Sequence, residues 1–298
     1  MSEPKTVGSL LDVGERVLAD STHIFEDHDN RQEAEELLAF CLDKDVDRLR
    51  PSEVVRPEVR RRYLSFIARR AAGEPFPMIT GFIEFYGLEL RVRPDTFVPR
   101  PSSELTVARA VKRLRSRRDP VVVDLCTGAG PIALGIADEL PDAEVWAADI
   151  SSPELALGRD NAKRLGLDNV HFRRGDMFGA LPSRLRGTVD VITGHIPYVP
   201  PGEVDDLPAE VKEHEPLYTL TDDSRDGLTL IRGAIREAPE WLKPGGWMLL
   251  EVSDDLPGRL RTLFRRAGFE DHGVAEDEDR LSVVVEARKS RGTRRAAR

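Results

Sequence analysis

Glycines and carboxylates recur where apolar runs of the sequence end, an arrangement that could hold a nucleoside-like ligand. The apolar run at residues 121–123 leads into the sequence DLCTGAG at residues 124–130. Glycines in such a turn tolerate positive φ and let the backbone approach a ligand closely. Asp149 ends the next apolar run, where a carboxylate can accept hydrogen bonds from both hydroxyls of a ribose. The candidate ligand contacts of this region are Asp124, Thr127, Gly128, Gly130, Asp149 and Ile150.

The glycine turn does not by itself identify the ligand. Residues 128–133 also satisfy the dinucleotide pattern G-x-G-x-x-G/A, so a nicotinamide cofactor is one interpretation. An acid at the end of the second strand serves either kind of nucleoside cofactor. A structural turn without any ligand is a third interpretation, because glycine turns are common.

Two later segments favour a methyl-donor cofactor. Asp176 and Met177 follow a third apolar run, where an acid can meet the amino group of an adenine and an apolar side chain its ring face. The sequence GHIPY at residues 194–198 ends the fourth run. A rigid backbone carbonyl and an aromatic wall can hold an acceptor atom about 3 Å from a methyl carbon, in line with the leaving sulfur. The candidate catalytic residues are therefore His195, Ile196, Pro197 and Tyr198, and His195 is also a candidate cofactor contact.

The elements that must position these residues change in character along the chain. Helical spacing of apolar residues fills residues 7–72, and two short strands around Gly87 are predicted within residues 79–92. After a helix at residues 104–115, helices alternate with strands at 121–123, 144–149, 170–173, 189–193, 247–252 and 281–287. This order predicts an α/β fold, a Rossmann-like and mostly parallel, doubly wound sheet preceded by a small helical bundle.

The predicted domain boundaries follow these changes. We expect a helical N-terminal domain over residues 1–75 and a hairpin with a linker over 76–105. A cofactor-binding catalytic domain is predicted over residues 106–288, and a basic, disordered tail over 289–298.

Composition excludes several classes of protein. The 298 residues carry a net charge of −9, which argues against nucleic acid as a partner held by phosphate contacts. The sequence has no apolar run of about eighteen residues and no signal-peptide pattern, so we expect no membrane association and a cytoplasmic location. Its two cysteines lie far apart and indicate neither a disulfide framework nor a metal site. We expect a monomer whose partner is a methyl acceptor, either a protein or a small molecule.

Motifs along most of the chain resemble those of a known family. They include RRAAGEP at residues 69–75, ITGFIEFYG at 79–87, VPRPSSE at 98–104, HEP at 214–216, DGL at 226–228 and LKPGG at 242–246. Together with the glycine turn, they resemble the release-factor glutamine methyltransferases of the HemK/PrmC type over residues 7–287. The resemblance implies S-adenosylmethionine as cofactor and transfer of its methyl group to the N5 amide nitrogen of a glutamine in a release-factor-like protein. It also implies that the helical N-terminal domain recognises the substrate, and that Arg100, Glu104 and Tyr198 bind it.

Three departures from the family pattern keep other functions open. His195 and Ile196 replace an Asn-Pro pair, Cys126 stands at the first glycine of the turn, and serines occupy residues 102–103. Ile196 keeps a backbone carbonyl, whereas a neutral imidazole accepts only one hydrogen bond. One alternative is a small-molecule N- or O-methyltransferase that uses His195 as a general base near neutral pH. A second is a non-catalytic protein that binds S-adenosylmethionine, and a nicotinamide oxidoreductase ranks last.

Overall fold

The computed structural model describes residues 4–23, 29–276 and 283–291. Its helices are α1 (Val7–Ala19), α2 (Asn30–Leu42), α3 (Pro57–Ala71), α4 (Phe76–Thr80), α5 (Glu104–Leu114), α6 (Pro131–Glu139), α7 (Ser152–Leu165), α8 (Ala209–Lys212), α9 (Thr229–Trp241) and α10 (Pro257–Arg266). Its strands are β1 (Phe82–Phe85), β2 (Leu88–Arg91), β3 (Val121–Leu125), β4 (Glu144–Asp149), β5 (Val170–Arg174), β6 (Val189–Gly194), β7 (Leu242–Val252), β8 (Phe269–Glu276) and β9 (Val283–Lys289). None of the helices in these ranges is long and apolar enough to cross a membrane.

Two compact units share these elements. The helical unit consists of Met1–Phe82, Val92–Pro94 and Asp205–Glu215, and the sheet unit of Ile83–Arg91, Asp95–Val204 and Pro216–Arg298. The domain boundaries drawn from the sequence after residues 75, 105 and 288 stay predictions. Residues 292–298 of the predicted basic tail lie outside the described residues.

Three helices of the helical unit bury one apolar core. α1 begins with a capping box, in which the Thr6 hydroxyl accepts the Ser9 N–H at 3.3 Å and the Ser9 hydroxyl accepts the Thr6 N–H at 3.0 Å. Such caps satisfy backbone donors that the start of a helix leaves without intrahelical partners. The largest fully buried side chains of α1, α2 and α3 are Leu10, Leu18, Leu37, Leu38, Tyr63 and Ile67.

Gly14 lets α1 approach α3 closely. A Cβ at this position would lie 2.0 Å from Tyr63 Oη and 3.1 Å from Ile67 Cδ1. Tyr63 Oη in turn donates a hydrogen bond to the Leu10 carbonyl of α1 at 3.3 Å. The glycine that weakens the helical pattern in the sequence therefore lies where close packing of two helices requires it.

Arg70 of α3 fastens residues 205–215 to the helical unit. Its side chain is buried, its Nε donates to Glu33 of α2 at 2.8 Å, and its Nη1 donates to Glu210 of α8 at 2.9 Å. A guanidinium removed from water is stable only with carboxylate and hydrogen-bond partners. The two acids therefore fix α2 and α8 against α3.

Among the described residues, seven strands form the large sheet of the sheet unit in the order β5-β4-β3-β6-β7-β9-β8, and β1 and β2 form a separate two-stranded sheet. The first five run parallel, and β9 runs antiparallel to both β7 and β8. Parallel strands bring their carboxyl ends, and the loops that follow, to one edge of a sheet. Because Leu125 of β3 pairs with Gly194 of β6, the glycine turn and the GHIPY segment leave the sheet side by side.

Helices cover both faces of this sheet, because alternate side chains of the buried strands enter two different apolar cores. Val123 and Leu125 of β3 pack with residues of α9 and α10. Val122, between them, packs with residues of α5, α6 and α7. The strands are thus positioned by apolar packing from both sides, and the polar residues are left to their ends.

The prediction from sequence missed β8. Its sequence, FEDHGVAE, lacks the apolar alternation of a buried strand. It forms because it pairs along β9 as the outermost strand, where charged side chains are tolerated. The last predicted strand, at 281–287, corresponds to β9 at Val283–Lys289, and residues 281–282 lie outside the described residues.

Two predicted strand starts were also wrong. Residues 79–81 close α4 and do not begin a strand, because Gly81 at a φ of 84° ends the helix in the left-handed region. β7 begins at Leu242 and not at residue 247, because Leu242 pairs with Val189 ahead of a register shift.

Replacing Gly14 with alanine should destabilise the protein. The added methyl group must displace the Tyr63 ring, and overpacking of this kind costs about 1–3 kcal/mol. The measurement is the free energy of unfolding of the full chain in urea. Gly233→Ala is the matched control, since open space surrounds this glycine inside α9 and the change should stabilise by about 0.5–1 kcal/mol. Equal stability of the Gly14→Ala variant and the parent would contradict the close approach of α1 and α3.

Candidate active site

The loop between β3 and α6 turns through three residues in the left-handed region. Cys126, Gly128 and Gly130 have φ angles of 53°, 55° and 83°. A Cβ on Gly130 would lie 2.8 Å from the Phe172 ring, so this position requires glycine for space as well as for conformation. The loop is a tight backbone turn at the carboxyl edge of the sheet, directly before the start of α6.

Asp149, at the end of β4, holds this turn. Its Oδ2 accepts the Gly128 N–H at 2.8 Å, and its Oδ1 accepts the Ser151 N–H at 2.8 Å. Burial raises the pKa of this carboxyl, and the backbone N–H groups act in the opposite direction. Beside it, the apolar side chain of Ile150 is 54% exposed. Each carboxylate oxygen has a further lone pair for a ribose hydroxyl, and Ile150 offers a face to an adenine.

Asp124 lies beneath the turn. It is 1% exposed, and its two oxygens accept the hydroxyls of Thr127 at 2.5 Å and of Thr193 at 2.7 Å. Burial raises the pKa of Asp124 to about 6, while the two hydroxyl bonds lower it. The side chain therefore links the turn to β6, and a direct contact of Asp124 or Thr127 with a cofactor stays a prediction.

Asp176 and Met177 reach the same region from the end of β5. The Gly175 N–H before them donates to the Asp149 carbonyl at 3.0 Å. Asp176 is exposed, and Met177 has a φ of 46°. The Met177 sulfur lies 3.6 Å from the sulfur of Cys126, which brings the end of β5 to the glycine turn.

His195 and Tyr198 form an aromatic wall after β6. Their rings stack with centroids 5.8 Å apart at 27°, and the Phe97 ring meets His195 edge-on at 5.7 Å and 88°. Between them Ile196 is buried and Pro197 is half-buried. Burial raises the pKa of Tyr198 to about 12, so its phenol stays protonated at neutral pH.

The DGL motif at residues 226–228 supports this wall. Gly227 has a φ of 63°, and a Cβ there would lie 2.1 Å from the Tyr198 carbonyl oxygen. The preceding Asp226 accepts hydrogen bonds from Arg232 at 2.9 Å and from Arg259 at 2.7 Å. Residue 227 must therefore be a glycine, because the backbone of this loop lies in close contact with the end of the GHIPY segment.

The two predicted substrate residues next to α5 have different surroundings. The Arg100 guanidinium lies 4.6 Å above the Phe97 ring, so it borders the aromatic wall. Glu104 starts α5, and its carboxylate accepts the Tyr86 N–H at 2.7 Å in the turn between β1 and β2. Glu104 thus holds the hairpin, and its predicted contact with substrate stays a prediction.

Two buried acids of the site were missed by the sequence reasoning. Glu251, near the end of β7, is 1% exposed and places Oε2 at 3.8 Å from His195 Nδ1. Glu154 of α7 is buried and accepts the Phe97 N–H at 2.6 Å. A signal for Glu251 existed, because it is a lone acid that follows the apolar residues 248–250 near the carboxyl end of a strand, as Asp149 ends its own strand.

The residues at this edge fit the cofactor that the family resemblance implies. A carboxylate for the ribose, an exposed apolar side chain for the adenine and a glycine turn for close backbone approach lie next to one another, at Asp149, Ile150 and Gly128. Within the described ranges, no three His, Cys, Asp or Glu side chains converge as metal ligands.

Comparisons with known proteins match both parts of the chain. A methyltransferase domain family matches residues 116–285, and a PrmC N-terminal domain family matches residues 16–81. The release factor glutamine methyltransferase of Burkholderia pseudomallei is 40% identical over 233 residues, which cover 74% of this chain and 78% of the relative. The enzyme of the same name from Streptomyces coelicolor is 38% identical over 263 residues, 87% of this chain and 91% of the relative.

Solved structures share the fold. The T. thermophilus 16S rRNA N2 G1207 methyltransferase, in complex with AdoMet and guanosine, has a TM-score of 0.53 at 20% identity and covers 70% of this chain and 49% of its own. A methyltransferase from Pyrococcus furiosus has a TM-score of 0.50 at 17% identity, with 78% and 98% covered. These likenesses confirm the predicted fold class, a mostly parallel α/β sheet with flanking helices.

Removing the Asp149 carboxylate should weaken binding of S-adenosylhomocysteine, the demethylated cofactor. We expect Asp149→Ala to raise its Kd about 10- to 100-fold, because hydrogen bonds to a charged group contribute about 1.5–3 kcal/mol. Isothermal titration calorimetry measures this directly. Asp138→Ala, at an exposed acid of α6, changes the charge equally and should leave the Kd within about two-fold. An unchanged Kd in folded Asp149→Ala protein would remove Asp149 from the cofactor site.

Proposed function

The chain belongs to the release factor glutamine methyltransferase family, and we propose that it methylates the side-chain amide nitrogen of a glutamine in a release-factor-like protein. It is an S-adenosylmethionine-dependent methyltransferase, and this membership decides against the nicotinamide alternative. The glutamine acceptor is the proposed part, because it comes from the names of the relatives and from the geometry at the end of β6.

One observation carries the proposal. The aromatic wall of His195 and Tyr198 follows β6, and the glycine turn follows β3. The two segments begin side by side, because β6 pairs with β3 in the centre of the sheet. An acceptor held against the wall would therefore lie next to a cofactor held by the turn. Such placement of two reactants is a large part of what an enzyme contributes to a transfer reaction.

On the cofactor side, the proposed roles follow from the contacts of each residue. Asp149 would bind the ribose hydroxyls, and Ile150 and Met177 would cover the adenine faces, with Asp176 at its amino group. The backbone of the turn, at Thr127, Gly128 and Gly130, would contact the rest of the cofactor. Asp124 lies beneath this turn. When bound, S-adenosylmethionine supplies a methyl group on a sulfonium that leaves with the bonding electrons.

On the acceptor side, the Ile196 carbonyl and His195 would orient the amide nitrogen. Tyr198 and Pro197 would exclude water, and the neutral phenol of Tyr198 adds no charge to the pocket. Arg100, stacked on Phe97, would meet the substrate backbone or a neighbouring side chain, and Glu104 stays in the proposal only through the family resemblance.

A second candidate function rests on His195. An imidazole in place of the family's asparagine can remove a proton as well as accept a hydrogen bond, which would suit a small-molecule amine or hydroxyl. A non-catalytic protein that binds S-adenosylmethionine is the remaining alternative. We further propose that the chain acts as a monomer in the cytoplasm, where release factors work, and that its helical unit recognises the protein substrate.

The direct test is incubation with a purified release factor and isotope-labelled S-adenosylmethionine. The proposal expects the label on one glutamine side chain, located by peptide mass spectrometry, and no label when that glutamine is alanine. In a parallel incubation with a metabolite extract, label on a small molecule and none on the release factor would favour the small-molecule function. Binding of S-adenosylhomocysteine without transfer to either would favour the non-catalytic alternative.

The wall residue His195 should matter for turnover and little for cofactor affinity. We expect His195→Ala to lower kcat about 10²- to 10⁴-fold, the range for loss of a group that handles the proton. The Kd for S-adenosylhomocysteine should change little. His171→Ala, at a half-buried histidine of β5 that contacts Trp146, is the matched control and should keep full kcat. Full turnover by the His195→Ala enzyme would place the acceptor elsewhere.

A further inference from the structure

A buried carboxylate lies next to the aromatic wall of His195 and Tyr198. Glu251 is 1% exposed, and its Oε2 lies 3.8 Å from Nδ1 of His195. The imidazole is itself confined, with the Phe97 edge on one side and the Tyr198 ring on the other. In this arrangement Nδ1 lies toward Glu251 and Nε2 lies on the far side of the ring.

Hydroxyl groups hold Glu251 in this place. Ser102 Oγ donates to Oε1 at 3.1 Å, and Thr106 Oγ1 donates to Oε2 at 3.4 Å. Ser102 lies in the turn that leads into α5 and Thr106 lies in the first turn of α5, so a helix that packs on the sheet fixes their positions. The carboxylate is thus anchored on one side, and its Oε2 remains within reach of the histidine.

We infer that Glu251 is a positioning residue, which keeps the proton of His195 on Nδ1 and leaves Nε2 to take the proton of the methyl acceptor. A carboxylate only accepts hydrogen bonds, and a neutral imidazole has one N–H, so the N–H is favoured on the nitrogen that faces the carboxylate. At 3.8 Å the contact is longer than a hydrogen bond, and such contacts commonly shorten when substrate binds. The inference rests on the proposed function for the identity of the acceptor, but not for the state of the ring.

The proton balance of the transfer follows from this arrangement. The acceptor nitrogen forms its bond to the methyl carbon with its own electron pair, while the carbon–sulfur pair stays on the departing sulfur. The proton of that nitrogen passes to Nε2, and the imidazolium formed has its positive charge beside the Glu251 carboxylate. An asparagine at residue 195 could accept a hydrogen bond but could not take this proton, so the pair of Glu251 and His195 supplies a base in its place.

The tautomer of His195 can be read without any turnover. Histidine labelled with ¹⁵N is incorporated into the full chain, and two-bond ¹H–¹⁵N spectra are recorded at about pH 9, above the titration range of imidazole. The His195→Asn spectrum identifies the signals of this residue among the six histidines. We expect the Nδ1–H form in the parent protein and a gain of the Nε2–H form in Glu251→Gln. A predominant Nε2–H form in the parent would overturn the inference, whether or not the Glu251→Gln variant folds.

Kinetics supply the second test. On a release factor, Glu251→Gln should lower kcat about 10- to 100-fold, part of the effect of losing the base itself, with the Kd for S-adenosylhomocysteine nearly unchanged. If Glu251 acts through His195, the double variant His195→Ala/Glu251→Gln should be no slower than His195→Ala alone. An additive loss in the double variant would instead show a structural role and contradict the inference.

A matched control separates the site from general loss of a buried acid. Glu286 of β9 is also 1% exposed, and its carboxylate is bound by Arg109 and Arg113 and not by a residue of the aromatic wall. Glu286→Gln should lower the free energy of unfolding but keep kcat. Absence of glutamine methylation by the parent, together with the Nδ1–H tautomer, would refute the proposed acceptor and leave the role of Glu251 standing. Glutamine methylation by a parent protein in which neither tautomer of His195 is favoured would support the proposed acceptor and refute the role of Glu251.

Discussion

The hydrogen bond from the Gly128 N–H to the Asp149 carboxylate joins the two loops on which the candidate site depends, next to a backbone bond from the Thr127 N–H to the Ala148 carbonyl. Neighbouring parallel strands bring these loops to one edge, but packing in the apolar cores does not determine how the loops meet. The bond does so, and it leaves the second carboxylate oxygen to the Ser151 N–H at the start of α7. The Asp149 side chain therefore connects the glycine turn, the end of β4 and the beginning of α7.

The same edge concentrates acids that would otherwise repel one another. Asp124 and Glu251 are both almost completely buried, and the charges of Asp149 and Glu251 each raise the pKa of Asp124. Threonine and serine hydroxyls stabilise Asp124 and Glu251, because each of these two carboxylates accepts hydrogen bonds from two hydroxyl groups. An edge rich in carboxylates is also a favourable environment for a cationic sulfonium, since opposite charges attract strongly away from water.

Much of this fold was predictable from the sequence, because its strands are apolar runs ended by glycines or acids and its helices have helical spacing. β8 was not, since its charged sequence becomes a strand only through pairing with β9. At the site, residues that follow a strand directly, such as Asp149 and His195, were identifiable by position. Phe97 was not, because its role depends on which side chains a distant segment brings near, and no spacing along the chain encodes that contact. The position of Glu251 near a strand end was a signal, but its contact with His195 is not encoded in any spacing either. Glu104 shows a role that the motif alone did not indicate, since its carboxylate accepts a backbone N–H of the hairpin, and its predicted contact with substrate stays a prediction.

The helical unit is interrupted in the chain, and this has a consequence for synthesis on the ribosome. Its helices α1 to α4 emerge first, but Glu210, the second carboxylate partner of the buried Arg70, lies more than a hundred residues further along the chain. An arginine buried before that acid is translated would lack part of its charge compensation. The contact of Arg70 with Glu210 can therefore form only after strands β3 to β6, which precede Glu210 in the chain, have been translated.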